Sequence, residues 1–239
     1  MSSIDILAFG AHPDDVELGC SGTLLRQISL GYKVGIIDLT RGELGTRGTA
    51  SIRDHESNLA AKKMKISFRE NLCFEDGFFE NNENNKLDII KRIRCYRPSI
   101  VICNAPQDRH PDHGRAFSLV YDACFLAGLE KIQTDFQNIS QEPFRPNVLY
   151  SYIQYNDTKP DFLVDISPFM EEKMEIIKCY VSQFYNPQSE ETETIISQQS
   201  FLSLISNRAS DLGRFISKDY AEGFLVNRYP GVDNLFNLL

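Results

Sequence analysis

The sequence predicts an α/β protein: a Rossmann-like, mostly parallel sheet flanked by helices, with a less regular C-terminal part. Two observations carry that prediction. Short apolar runs alternate with helical patterns over the first 130 residues, which is the pattern of βαβ units and a parallel sheet. Right-handed crossovers then wind such units into a doubly wound core.

The elements follow in order. Ile4 to Phe9 is an apolar run ending at Gly10 and reads as a buried strand. Val16 to Ser29 has helical character, with Leu18, Leu24, Leu25 and Ile28 available for one face and Gly31 as its stop. Lys33 to Leu39 is a second strand, and a loop with Gly42, Gly45 and Gly48 follows over Thr40 to Thr49. Ile52 to Met64 is a helix with Ser51 as its N-cap, and Phe68 to Cys73 is a third strand. Asn81 to Asn85 reads as a solvated loop before the helix Leu87 to Tyr96, which Pro98 ends. Ser99 to Asn104 is the fourth strand. A His- and Asp-rich loop, Pro106 to His113, leads into a helix from about Asp112 to Ala127.

Beyond that point Val148 to Tyr155 and Phe162 to Asp165 read as strands. Ser167 caps a helix to about Ser182, Thr194 to Arg208 is another helix, and Tyr220 to Val226 is extended. Residues 186 to 193, rich in Pro, Ser and Glu, read as mobile. With no repeat and no linker, residues 1–239 read as a single domain.

Composition excludes several classes. The 25 basic and 33 acidic side chains give a net charge of −8, the wrong sign for a nucleic-acid binder. A hydrophobic share of 42% excludes disorder as the main state. No window approaches the roughly 20 apolar residues of a membrane span. Met1 to Ile4 lacks a basic export region, so a cytoplasmic protein is expected. The six cysteines are scattered, without a C-x-x-C pair, which points to reduced thiols rather than a thiolate zinc site.

Three of the four histidines fall in two segments, A-H-P-D-D at Ala11–Asp15 and R-H-P-D-H at Arg109–His113. Both follow predicted parallel strands, where open α/β sheets place their ligand crevice. His12, Asp15 and His113 supply three ligands suited to Zn(II), with Fe(II) also possible, and leave a position for water. Asp14, beside a ligand but pointing elsewhere, is a natural general base for that water. His110 is free to polarise a carbonyl or protonate a leaving group, and Asp112 to orient a histidine. Taken alone, H-P-D-D reads equally well as a turn in which Asp14 or Asp15 caps the next helix; the same holds for Asp112. The pairing of two such segments favours a site. His55 has no motif around it and reads as a surface or satisfied core histidine. The Gly-rich loop matches neither G-x-x-x-x-G-K-[ST] nor G-x-G-x-x-G. Its Arg41 and Arg47, with Arg53 on the following helix, suit carboxylate recognition, although Arg41 and Arg47 read equally as solvated loop residues.

These segments resemble the PIG-L/LmbE-like family of zinc-dependent N-acetylglucosamine deacetylases. Ala11–Asp15 is similar to the family's A-H-P-D-D, Arg53 and Glu56 to its R-x-x-E, and His110–His113 to its H-P-D-H. Within the family, I-L-A-F-G-A-H, D-L-T at Asp38–Thr40 and A-E-G-F at Ala221–Phe224 resemble the bacillithiol-pathway branch. The resemblance implies zinc on His12, Asp15 and His113, and Asp14 as base. It implies that His110 stabilises the oxyanion or acts as acid, with Asp112 as its partner. It implies substrate binding by Arg53 and Arg109, N-acetylglucosaminyl malate as substrate, and a homo-oligomer, often a hexamer. A site tyrosine is also implied, with Tyr152, Tyr155, Tyr180 and Tyr185 as candidates.

Overall fold

The computed structural model describes residues 3–238; Met1 and Ser2, the start of the segment read for an export signal, lie outside them. Five strands run parallel in the order β3 (Phe68–Phe74), β2 (Val34–Thr40), β1 (Ile6–Gly10), β4 (Ile100–Asn104) and β7 (Val148–Tyr152). The sheet continues through β9 (Ala221–Val226), antiparallel to both its neighbours, to β8 (Phe162–Asp165). The mostly parallel α/β architecture expected from the sequence is the one observed. Because β1 has β2 on one side and β4 on the other, the chain reverses its direction of winding there. The crevice of a doubly wound sheet opens at that switch point.

Alternation along β1 divides the core. Ile6 and Ala8 point to α1 (Asp15–Ser29) and α2 (Ala50–Met64), joined by Ile176 and Ile177 of α5 (Met170–Ile177). Leu7 and Phe9 point to α3 (Glu83–Tyr96) and α4 (Pro111–Leu126). Every residue of β1 and β2 is buried, as covered parallel strands require. Close packing also fixes Gly19 on α1: a Cβ there would lie 2.1 Å from Cδ2 of Tyr152 on β7. Gly19→Ala is therefore expected to destabilise the fold by about 1–3 kcal/mol, read as a lower urea midpoint at unchanged slope.

Several boundaries differ from expectation, each for a local reason. Thr49, not Ser51, caps α2, its side chain accepting the Ile52 N–H. The polar Asn81–Asn85 stretch is partly helical, because Asn82 caps α3 by accepting from Asn85 N. Ser167 opens a 3-10 turn, and α5 stops at Ile177. Tight turns through Cys179 and Tyr180 then send the Tyr180 side chain into the core, its hydroxyl donating to Glu17 Oε1 at 2.9 Å. Thr194 and Ser197 bond each other, which delays the next helix, α6, to Gln199–Arg214. The hairpin β5 (Asp135–Phe136) and β6 (Ile139–Ser140) was not expected; two-residue strands carry no periodicity. Segment 186–193 is tied down by Arg47, which donates to Ser189 Oγ (2.9 Å) and to the Glu191 and Thr192 carbonyls (3.3 Å each). No helix among the described residues is long and apolar enough to cross a membrane.

Candidate active site

The loop after β1 is held open toward the crevice by its neighbours. Ala11 N donates to Asn104 Oδ1 at the end of β4 (2.9 Å), and Thr40 at the end of β2 donates to Ala11 O from both its N–H and its hydroxyl. His12 is thereby set at the mouth of the switch point. From the other side, α4 starts at Pro111, with His110 as its N-cap and His113 in its first turn. The two distant segments meet: the His12 and His110 rings lie 4.6 Å apart, and His12 and His113 5.8 Å.

Asp15 lies between two of the histidines. Its Oδ2 is 3.5 Å from His12 Nδ1, and its Oδ1 is 3.2 Å from His113 Nε2. Asp15 also accepts from His12 N (2.9 Å), Asn104 Nδ2 (3.1 Å) and Gln154 Nε2 (2.7 Å). Burial works to raise the Asp15 carboxyl, but the charge and hydrogen bonds of His113 and His12 outweigh it and hold it well below the usual carboxylate range. Burial likewise works to lower His113, yet Asp15 and Asp108 raise it to about 9. Its Nδ1 is engaged by Asp108 Oδ2 at 2.7 Å, which leaves Nε2 facing Asp15. His113 Nε2 and Asp15 Oδ1 thus face each other with the outer partners of both groups already in place. That donor set, backed by a carboxylate–histidine pair, suits a divalent cation of zinc type. His12, His110 and His113 each present a ring nitrogen within 4.8 Å of the others, and so do His12, Asp76 and Asp112 with one ligand atom each; either group could hold a metal ion.

Asp14, next to these groups, has Arg53 as its ion-pair partner. It occupies the N-cap position of α1 with φ 115° and makes no capping hydrogen bond with its side chain, so capping does not explain it. Positive φ at a non-glycine residue is a strained conformation that aspartate tolerates better than most. Its carboxylate lies 3.3 Å from Arg53. Burial pushes the carboxyl up to about 7, against the opposing charge of Arg53.

Arg53, expected to bind substrate, is engaged by protein groups. It is buried, and besides Asp14 it donates to the carbonyls of Pro13 and Gly42. Gly42 must be glycine, because a Cβ there would fall 1.8 Å from the guanidinium. Arg41 pairs with Asp54, and Arg47 is spent on Ser182 O and segment 186–193. The arginine cluster expected to read carboxylates is therefore turned onto protein partners. Glu56 of the same R-x-x-E pattern accepts from Ser182 N and Oγ. Arg109 differs: it is exposed, lies over the Tyr155 ring at 4.8 Å, and its guanidinium has no hydrogen bond or ion pair among the described residues. Tyr152 and Tyr180 are buried in the core; of the exposed pair Tyr155 and Tyr185, Tyr155 lines the cavity beside His113 and Arg109.

Asp112 does not partner the His110 ring. Its Oδ2 accepts from Gly77 N and lies 3.2 Å from His12 Nε2, while its Oδ1 meets Arg115. Residues two apart on a helix start diverge by some 200°, so only the Asp112 backbone N–H reaches His110, at Nδ1 (3.3 Å). Burial and the neighbouring histidines lower His110. In the neutral ring Nδ1 is the acceptor, so the proton resides on Nε2. Asp76 was missed by sequence reasoning. It follows β3 and sits 3.0 Å from His12 Nε2. Burial works to raise it, but His12 and the Leu44 N–H hold it at about 2. Its signal was available, an acidic residue just past the end of a third parallel strand. Asn104, Asp108 and Gln154 were missed too. His55 is exposed on α2.

Comparison with known proteins settles the family. The family model described as GlcNAc-PI de-N-acetylase (PIG-L) matches residues 7–124. An uncharacterized deacetylase, YaiS, of Escherichia coli is 34% identical over 128 residues, covering 50% of this chain and 67% of that protein. The chain belongs to the PIG-L deacetylase family. It is accordingly an N-deacetylase of the hydrolase class. The diacetylchitobiose deacetylase of Thermococcus kodakarensis is 29% identical over 189 residues, covering 75% of this chain and 70% of that protein. A conserved protein of Thermus thermophilus has the same fold, with a TM-score of 0.84 and 34% identity over 96% of this chain and 98% of its own. In this PIG-L deacetylase the family match includes A-H-P-D-D and H-P-D-H, the two segments that meet at the crevice.

Proposed function

We propose that this PIG-L deacetylase, acting through residues 1–239 as one domain, hydrolyses the acetamide of N-acetylglucosaminyl malate. Acetate and glucosaminyl malate are the products, in bacillithiol biosynthesis. The observation that carries the reading is the meeting of His12, Asp15 and His113 at the β1/β4 switch point, with Asp14 beside them and turned to Arg53. His12, Asp15 and His113 would hold zinc. When bound, the cation supplies Lewis acidity to a water and to the amide carbonyl. Asp14 accepts the proton of the attacking water as its oxygen joins the carbonyl carbon. His110 offers its Nε2 proton to the carbonyl oxygen as negative charge develops there. The C–N bond then breaks, Asp14 returns the proton to the departing amine, and acetate leaves. Arg109, with its donors unspent, gives a substrate carboxylate a place to bind. The description of the family and the name of the Thermococcus relative both concern N-acetylated amino sugars, which supports this substrate class.

A second reading, an N-acetylated conjugate of mercapturate type bearing an apolar group, is favoured by one observation. A cavity of about 570 Å³ opens beside His113 and Arg109, walled by Ile153, Phe201, Leu204, Ile205 and Leu212. Acetate release should be measured from N-acetylglucosaminyl malate, diacetylchitobiose and an aryl mercapturate, with metal-stripped and zinc-restored protein. The first reading requires activity restored by zinc and highest on the malate conjugate. Highest activity on the aryl conjugate selects the second, and no acetate from any of them overturns both.

A further inference from the structure

We infer that Arg208 on α6 is a positioning residue for the metal-binding set, acting through the loop that follows β7. The guanidinium donates from one terminal nitrogen to the Gln154 carbonyl and from the other to the Asn156 carbonyl. It therefore clamps both ends of a three-residue loop. That loop does two separate things. The Gln154 side chain donates to Asp15 Oδ1 at 2.7 Å, the same oxygen that faces His113 Nε2. The Asn156 backbone N–H donates to Asp108 Oδ1 at 2.9 Å, and Asp108 Oδ2 holds His113 Nδ1 at 2.7 Å. One clamp thus acts on Asp15 through the Gln154 side chain and on His113 through the Asp108 carboxylate. His12 is oriented separately, by Asp76 and Asp112.

A histidine's ring angle and an acid's rotamer decide whether three ligands converge, and partners beyond the ligands themselves commonly change metal affinity by roughly 10–100-fold. Arg208 suits the role because a rigid, planar fork fixes two acceptors at once, whereas a single donor leaves the loop free to pivot. It stands almost two hundred residues from His12 in the sequence, outside both histidine segments and outside the family match at residues 7–124.

The inference rests on His12, Asp15 and His113 being the metal ligands, and the experiment separates the two. Dissociation constants for Zn(II) are measured by chelator competition on the full chain and on Arg208→Met, Arg208→Lys and Arg214→Ala, with circular dichroism as the check on folding. Arg208→Met keeps the apolar stem and removes every donor. It is expected to weaken zinc binding about tenfold, with Arg208→Lys intermediate. Arg214→Ala, on the same helix with its guanidinium on Asp211, should bind zinc as the parent does. Should Arg208→Met fail to fold, Gln154→Leu carries the test by cutting the final link to Asp15, and the same weakening is expected. Parent-like affinity in Arg208→Met, or in Gln154→Leu where that variant is used, overturns the inference. So does equal weakening in the Met and Lys variants. A parent chain that binds no zinc overturns the ligand assignment instead.

Discussion

Asp14→Asn is expected to lower kcat by about 10³-fold, within the range that loss of a general base costs, while the protein still takes up its full complement of metal. Asparagine has nearly the same volume and is among the few residues that accept the positive φ of this position. Its amide oxygen can still accept from Arg53, so the local fold survives. What it cannot do is take a proton from water. Metal uptake should be untouched, because the partner of the Asp14 carboxylate is Arg53 and neither His12 nor His113 hydrogen-bonds to it. Elemental analysis alongside single-turnover acetate release checks both halves. Full activity in the variant would remove Asp14 from the chemistry; lost metal with lost activity would make it a ligand.

His113→Ala is expected to give the opposite pattern, with metal content falling sharply and activity lost as a consequence. Removing a direct ligand should weaken binding by more than the roughly 100-fold upper range for outer partners. The substitution also strips the partner from Asp108, whose buried carboxylate holds the ring at 2.7 Å. Loss of fold is the competing explanation, and His113→Gln addresses it. A glutamine amide can still donate to Asp108 but is a poor zinc ligand. The prediction is a folded His113→Gln protein with little zinc by elemental analysis. Parent-like zinc in that protein would remove His113 from the ligand set. Together with Asp14→Asn, the pair separates holding a cation from using it.

The order of strands and helices in the first half was legible because the central strands β1 and β4 are short apolar runs and the helices between strands are bounded by turn or cap residues. Legibility fell where local chemistry competes with periodicity. Asn82 reads as loop by composition yet caps α3. Thr194 and Ser197 resemble a helix start yet bond each other. The run into Ser182 is helical by pattern, but Tyr180 has a buried partner in Glu17 that a continued helix would not reach.

The site divides along the same line. Sequence alone determined which residue types exist to do the work: two His-Asp segments, each at the end of a strand destined for the middle of a parallel sheet. It could do so because strand ends in such a sheet converge whatever fills the loops. Only the tertiary structure decided who partners whom. It paired Arg53 with Asp14, gave Asp112 to His12 rather than to His110, and brought in Asp76, Asn104, Asp108 and Gln154 from strand ends and loops with no recognisable motif. The physical reason is range. A motif records spacing along one segment, whereas the direction of a charged side chain inside a crevice is set by whichever donors and acceptors other segments deliver within about 3 Å of it.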